Sequence, residues 1–184
     1  MFKYCPSCAK KNIGFDGKKL FCPDCGFTYY HNTAAASGCV IETDGKIVLA
    51  VRGKEPACGK LDLPGGFIDP GEGALEGLLR ELREELGWEP VIPAGVSPAK
   101  FFTLFASFPN TYPYKNILYN TCDMFFAISV PGLCENDFSP EPGEIAGLRF
   151  LAPNKINPDD LAFDSTRRAI AAYIKNPHQI GVFA

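Results

Sequence analysis

The sequence predicts a mixed α/β domain behind a short segment that needs a staple, on three observations. Two CxxC pairs, "CPSC" and "CPDC", fall within the first 25 residues, a region with too few aliphatics for a core of its own. From Ala35 onward, β-branched and aromatic runs are separated by turns rich in Gly and Pro. The stretch from Glu72 to Leu86 places Leu75, Leu78, Leu79, Leu82 and Leu86 at helical spacing, as an amphipathic helix requires. With 184 residues and no repeat, heptad or low-complexity tract, one main domain is expected at residues 33–184, after a small unit at residues 1–32.

In chain order, "SGCVIETDGKIVLAVR" reads as two strands joined by a tight turn at Asp44-Gly45. "LDLPGGFI" reads as a short strand interrupted at Pro64-Gly65-Gly66, where the backbone takes conformations closed to other residues. The helix comes next, and Gly87 stands where it should stop. "KFFTLFASF", "NILYNTCDMFFAISV" and "GLRFL" read as strands, and "DSTRRAIAAYI" as a closing helix capped by Asp164 or Ser165.

Composition narrows the function classes. A net charge of −3 gives no general attraction to nucleic-acid backbones or anionic membranes. The start, "MFKYCPSCAKKNIGF", lacks the apolar core of a secretory signal, and the longest apolar run is interrupted by Asp123, so a cytoplasmic protein with no membrane segment is expected. Cys39, Cys58, Cys122 and Cys134 are scattered singly, which is not the layout of a disulfide scaffold.

The acidic face of the predicted helix, Glu81, Glu84 and Glu85, turns away from the leucines, and by itself it suits a solvated surface with Glu76–Arg80 and Arg80–Glu84 pairs. Its spacing from the glycine turn changes that reading: Gly66, five residues, Glu72, seven residues, Arg80-Glu81, Leu82, Arg83, Glu84-Glu85, Leu86, Gly87, Trp88. This resembles the Nudix box at every position of the family pattern. The resemblance implies an α/β/α sandwich in which Glu81, Glu84 and Glu85 hold catalytic Mg²⁺ or Mn²⁺ and one of them acts as general base. It also implies that Arg80 orients these glutamates, that Gly65 and Gly66 bring backbone carbonyls to the metal, and that Glu72 is structural. Carboxylates at i, i+3 and i+4 converge on one volume, and hard divalent ions take oxygen ligands while keeping substrate phosphates and water in their shell. Family members often add a glutamate before a late strand; Glu144 in "PGEIAGLRFL" has that context, with Glu141 a weaker competitor. Arg52 and Lys54, at the end of the second strand, are candidates for substrate phosphate.

Cys5, Cys8, Cys22 and Cys25 form CxxC, thirteen residues, CxxC, a zinc-ribbon pattern whose four soft ligands make a closed structural Zn²⁺ site. His31 is left outside this completed shell. Lysines between the knuckles suit an acidic partner or, with little aromatic interleaving, simply a solvated surface. A ribbon directly before a Nudix domain is similar to the arrangement in NADH pyrophosphatases. Their Ser-Gln-Pro-Trp-Pro-Phe-Pro stretch is only partly echoed by "SFPNTYPY", in which Phe108, Tyr112 and Tyr114 are candidates to stack on a base. The expected function is Mg²⁺-dependent hydrolysis of a nucleoside diphosphate linked to another group, such as NAD(H), ADP-ribose or FAD. Alternatives are a non-catalytic nucleotide sensor and an RNA-cap-directed hydrolase, with nucleic acid otherwise not the default partner. The sequence leaves a homodimer open.

Overall fold

The computed structural model describes residues 2–115 and 117–177; Met1, Asn116 and residues 178–184, and with them the outer ends of the expected 1–32 and 33–184 units, lie outside the described residues. In the N-terminal unit, β1 (Gly14–Phe15), β2 (Lys19–Phe21) and β3 (Thr28–Tyr30) form an antiparallel sheet between the cysteine pairs. The two knuckles are built alike. The N–H groups of Ala9 and Gly26, both left-handed at φ 58° and 74°, return to the carbonyls of Cys5 and Cys22, each at 2.9 Å. Only Cys5, Leu20 and Cys22 are buried among the unit's described apolar residues, while Phe15, Phe21, Tyr29 and Tyr30 are exposed. Four aromatic rings are thus exposed on this small sheet.

The main unit is one seven-stranded sheet. β4 (Ala34–Thr43) and β5 (Lys46–Arg52) are joined by Asp44-Gly45, with φ of 48° and 75°, the doubly positive turn that matches strand twist. The central path runs β10-β5-β4-β9-β8, where β8 is Thr103–Tyr114, β9 Ile117–Ser129 and β10 Ile145–Leu151. Two short strands flank it: β6 (Leu61–Asp62) on β5 and β7 (Gly65–Phe67) on β4. β4 and β9 run parallel from Ala34↔Thr121 to Glu42↔Ser129, and the other pairs are antiparallel.

Strand alternation divides the core in two. Cys39, Ile41, Val48, Phe126 and Ile128 meet Leu78, Leu82 and Leu86 of α1 (Ala74–Leu86) on one face. Val40, Ile47, Leu49, Phe125 and Ala127 meet Ala169, Ile170 and Tyr173 of α2 (Asp164–Lys175) on the other. This is the expected α/β/α sandwich. α1 starts two residues after Glu72, and Gly87 closes it at φ 58°, its N–H donating to Arg83 O at 3.0 Å. Glu76 turns back to the Gly73 N–H at 2.7 Å rather than toward Arg80. The expected cap of α2 is also corrected: Phe163 holds the N-cap position with no side-chain cap bond, and Asp164 is already in the first turn. The hydroxyl of Ser165 is engaged elsewhere, as the site below makes clear. Among the described residues no helix is long and apolar enough to cross a membrane.

Candidate active site

A cavity of about 270 Å³ opens beside the glycine turn. The turn permits a close approach that no other residue would. At Gly65, with φ 137°, a Cβ would lie 2.1 Å from the Ser37 carbonyl oxygen, and at Gly66 it would lie 2.6 Å from the Glu81 Cδ. Glu85 Oε2 accepts from the Gly65 N–H at 2.9 Å. Glu81 and Glu85, one turn apart on α1, thus reach the cavity wall through the space that missing side chains leave.

Arg80 organises the other side of this helix. Its Nε and Nη2 donate to the Glu72 carboxylate at 2.8 and 3.0 Å, and Nη2 also donates to Phe67 O at 2.9 Å. Its Nη1 donates to Glu81 at 2.9 Å and to Glu84 at 3.1 Å. Glu72 also accepts from the Asp69 N–H at 3.0 Å, so it fastens the turn to the helix start. Glu84 stays 55% exposed and is not part of the cavity wall.

Glu144 lines the same cavity from the loop before β10 and is ion-paired with Lys54. That loop is tied to the end of α1 by backbone bonds from Ser139 N to Leu86 O at 2.7 Å and from Glu141 N to Glu85 O at 2.9 Å. Glu141 therefore serves the loop through its main chain. Burial pushes the Glu85 carboxyl up to about 8 against the pull of the Gly65 N–H, with the charges of Glu81 and Asp62 adding to the rise. Burial raises Glu81 as well, opposed by Arg80. The Glu72 carboxylate, followed by Glu81 and Glu84, holds the Arg80 guanidinium firmly charged.

Of the residues expected to meet substrate, Arg52, Lys54 and Tyr112 line the cavity. Arg52 donates to Pro56 O at 2.7 Å, to Asp62 at 3.3 Å and to the Tyr112 hydroxyl at 3.4 Å, and its guanidinium sits 5.0 Å above the Phe163 ring. Phe108 lies apart, 6.3 Å from Phe125 with Arg168 over its ring, and Tyr114 is half exposed at the strand end beside Lys115. Sequence reasoning missed Asp62, Thr121, Asp123, Phe163 and Ser165, all on the cavity wall. The available signal was a lone acid within each of two apolar strands, "LDLP" and "CDMFF", because an acid buried without a task is rare.

The four thiols of the N-terminal unit converge, with all Sγ atoms within 4.8 Å of one another. Cys5–Cys25 and Cys8–Cys22 are each separated by 3.7 Å. That is too long for a disulfide and close to the edge of about 3.8 Å implied by a tetrahedron of Zn–S bonds. The cluster is compatible with zinc.

Residues 31–173 match the family model described as the NUDIX domain. The chain is 31% identical over 173 residues to the NAD-capped RNA hydrolase NudC of Stutzerimonas stutzeri, covering 94% of this chain and 54% of that protein. It is 42% identical over 64 residues to the ADP-ribose pyrophosphatase of Methanocaldococcus jannaschii, 35% of this chain and 37% of that protein. The matches span about half or less of these curated relatives. Among solved structures, a NUDIX hydrolase from Nitrosomonas europaea superimposes with a TM-score of 0.67 at 23% identity, over 100% of this chain and 97% of that one, a likeness of fold.

Proposed function

Because the chain belongs to the NUDIX family, we propose that it hydrolyses the pyrophosphate bond of a nucleoside diphosphate linked to a second group, with ADP-ribose, NAD(H) and FAD as candidate substrates. One observation carries this reading. Glu81, Glu85 and Glu144 share a cavity wall with Arg52 and the rings of Phe67, Tyr112 and Phe163, so carboxylates, a cation and aromatic rings line a single space.

The donor set suits Mg²⁺ or Mn²⁺: the carboxylates of Glu81, Glu84, Glu85 and Glu144 and the carbonyls of Gly65 and Gly66 are hard oxygen ligands. The bare glycine turn supports this assignment, since any Cβ at Gly66 would displace Glu81. When bound, the ion offsets diphosphate charge and lowers the pKa of water at the phosphorus. The chain's own residues do the rest. Arg80 holds Glu81 and Glu84 in orientation, and one of the glutamates takes a proton from the attacking water. Arg52 sits where it can meet a phosphate. Cys5, Cys8, Cys22 and Cys25 would hold Zn²⁺ as a structural staple away from this chemistry.

Turnover in ¹⁸O-water with added Mg²⁺ tests the reading. Label should appear in a product monophosphate, and Glu85→Gln should lower kcat by about 100-fold or more with the fold intact. Near-normal turnover in Glu85→Gln and Glu81→Gln together, or release of free base, overturns it; tight binding without any product marks a sensor instead. A second reading, attack on a nicotinamide-capped RNA end, is favoured by the exposed rings and five lysines of the ribbon. An NAD-capped oligonucleotide belongs in the same substrate panel.

A further inference from the structure

Among the described residues, two buried side-chain polar atoms have no hydrogen-bond partner: Ser37 Oγ and Thr121 Oγ1. Both residues line the cavity, at 4% and 3% exposure. Strand alternation separates them. Ser37 shares its side of β4 with Cys39 and Ile41 and so faces α1 and the glutamates, whereas Thr121 shares its side of β9 with Asp123 and Phe125 and faces α2. A buried hydroxyl left unpaired is costly, so a polar ligand is the natural partner for Thr121.

The neighbours of Thr121 complete a recognition edge. Asn110 stands directly opposite it in the β8–β9 register, also on the cavity wall, and its amide makes no hydrogen bond among the described residues. Asp123, two residues along β9, accepts from the Ser165 hydroxyl through Oδ2 at 2.6 Å, which fixes the carboxylate and leaves Oδ1 for another donor. Ser165 comes from the first turn of α2, and its neighbour Thr166 binds Asp62 at 2.6 Å, so the helix start is spent on holding two carboxylates in place. The same cavity is lined by Phe67 and Tyr112, 5.4 Å apart and perpendicular, with Phe163 5.6 Å from Tyr112.

We propose that Asn110, Thr121 and Asp123 form a subsite for the hydrogen-bonding edge of a planar heterocycle, one that places an N–H donor beside an acceptor, with the rings of Phe67, Tyr112 and Phe163 against its faces. The proposal rests on the pyrophosphatase reading for the direction of the substrate: phosphates toward Glu81 and Glu85, ring toward Thr121. The carboxylate of Asp123 takes the N–H, and the Thr121 hydroxyl and Asn110 amide satisfy the adjacent acceptor. An aminopurine edge and a nicotinamide carboxamide both present this pattern.

Binding of product-like ligands to the full chain in Mg²⁺ tests this without requiring turnover. Calorimetry with AMP, nicotinamide mononucleotide, purine riboside 5′-monophosphate, which lacks the amino group, and ribose 5-phosphate supplies the comparison. The wild-type chain should favour AMP or nicotinamide mononucleotide over purine riboside monophosphate by about tenfold or more. Whichever of the two binds tighter identifies the ring that enters. Thr121→Val, nearly isosteric, should erase about five- to tenfold of that preference and leave ribose 5-phosphate binding unchanged, while Thr121→Ser keeps it. Asn110→Ala, on a partly exposed position, should act in the same direction and serves if Thr121→Val lowers the melting temperature. Absence of discrimination in the wild-type chain, or equal weakening of all four ligands in both variants, overturns the subsite. Discrimination without cleavage of any diphosphate retains the subsite and removes the hydrolase reading, and cleavage without discrimination does the reverse.

Discussion

At Asp62, burial pushes the carboxyl up from 3.8 to about 6, outweighing the Thr166 hydroxyl at 2.6 Å and Arg52 Nη1 at 3.3 Å, both of which favour the charged form. Between these values the folded chain holds a proton that the unfolded chain has released. Stability contributed by this group is therefore present at low pH and falls as pH rises through that window. The loss is about 2–3 kcal/mol, and Asp62→Asn should flatten it. Urea unfolding of the wild type and the variant at pH 4 and pH 7 gives the comparison; parallel pH dependences would show that Arg52 neutralises Asp62 fully. The same residue explains why Arg52 is poised rather than floppy at the cavity wall, with each of its three guanidinium nitrogens making a hydrogen bond and its flat face on Phe163.

The β6–turn–β7 element lies against α1 at Gly66 and against β4 at Gly65, its tightest position. An added methyl there would meet the Ser37 carbonyl at 2.1 Å on a backbone at φ 137°. Gly65→Ala should cost about 3 kcal/mol or more and lower the melting temperature, because neither the backbone nor its neighbour has room to give. How well an element could be read from the sequence followed from whether its signal is local. α1 and the Asp44-Gly45 hairpin are written in nearest neighbours, as leucine period and turn chemistry, and both are where the pattern put them. The glutamate wall was legible for a different reason, a fixed spacing from glycine to helix. Phe108 and Tyr112 have the same parity on β8, and only the position of α2 decides that one packs against Phe125 and the other reaches the cavity. Thr121 and Asp123 read as ordinary strand residues until α2 closes over them, and Ser165 read as a cap because the acid it serves is 42 residues away.

The whole molecule joins two units of unequal self-sufficiency. The seven-stranded sheet has a core on each face, while the ribbon's described apolar residues bury only Leu20 beside two cysteines. Zinc should supply what the ribbon lacks. Elemental analysis is expected to find one zinc per chain, and chelation under reducing conditions should abolish amide protection through residues 2–30 while the main unit melts nearly unchanged. Absence of zinc with four free thiols would overturn this, and joint melting would show that the units stabilise each other. The strap from Ser139 to Glu144 has a less visible consequence. Its grip on α1 at Leu86 and Glu85 is through peptide N–H groups, which every residue but proline carries. Side-chain trimming at Ser139 and Glu141 would thus pass in silence, although the spacing of Glu144 from Glu85 is set there. The strap is open to drift in spelling and closed to change in length.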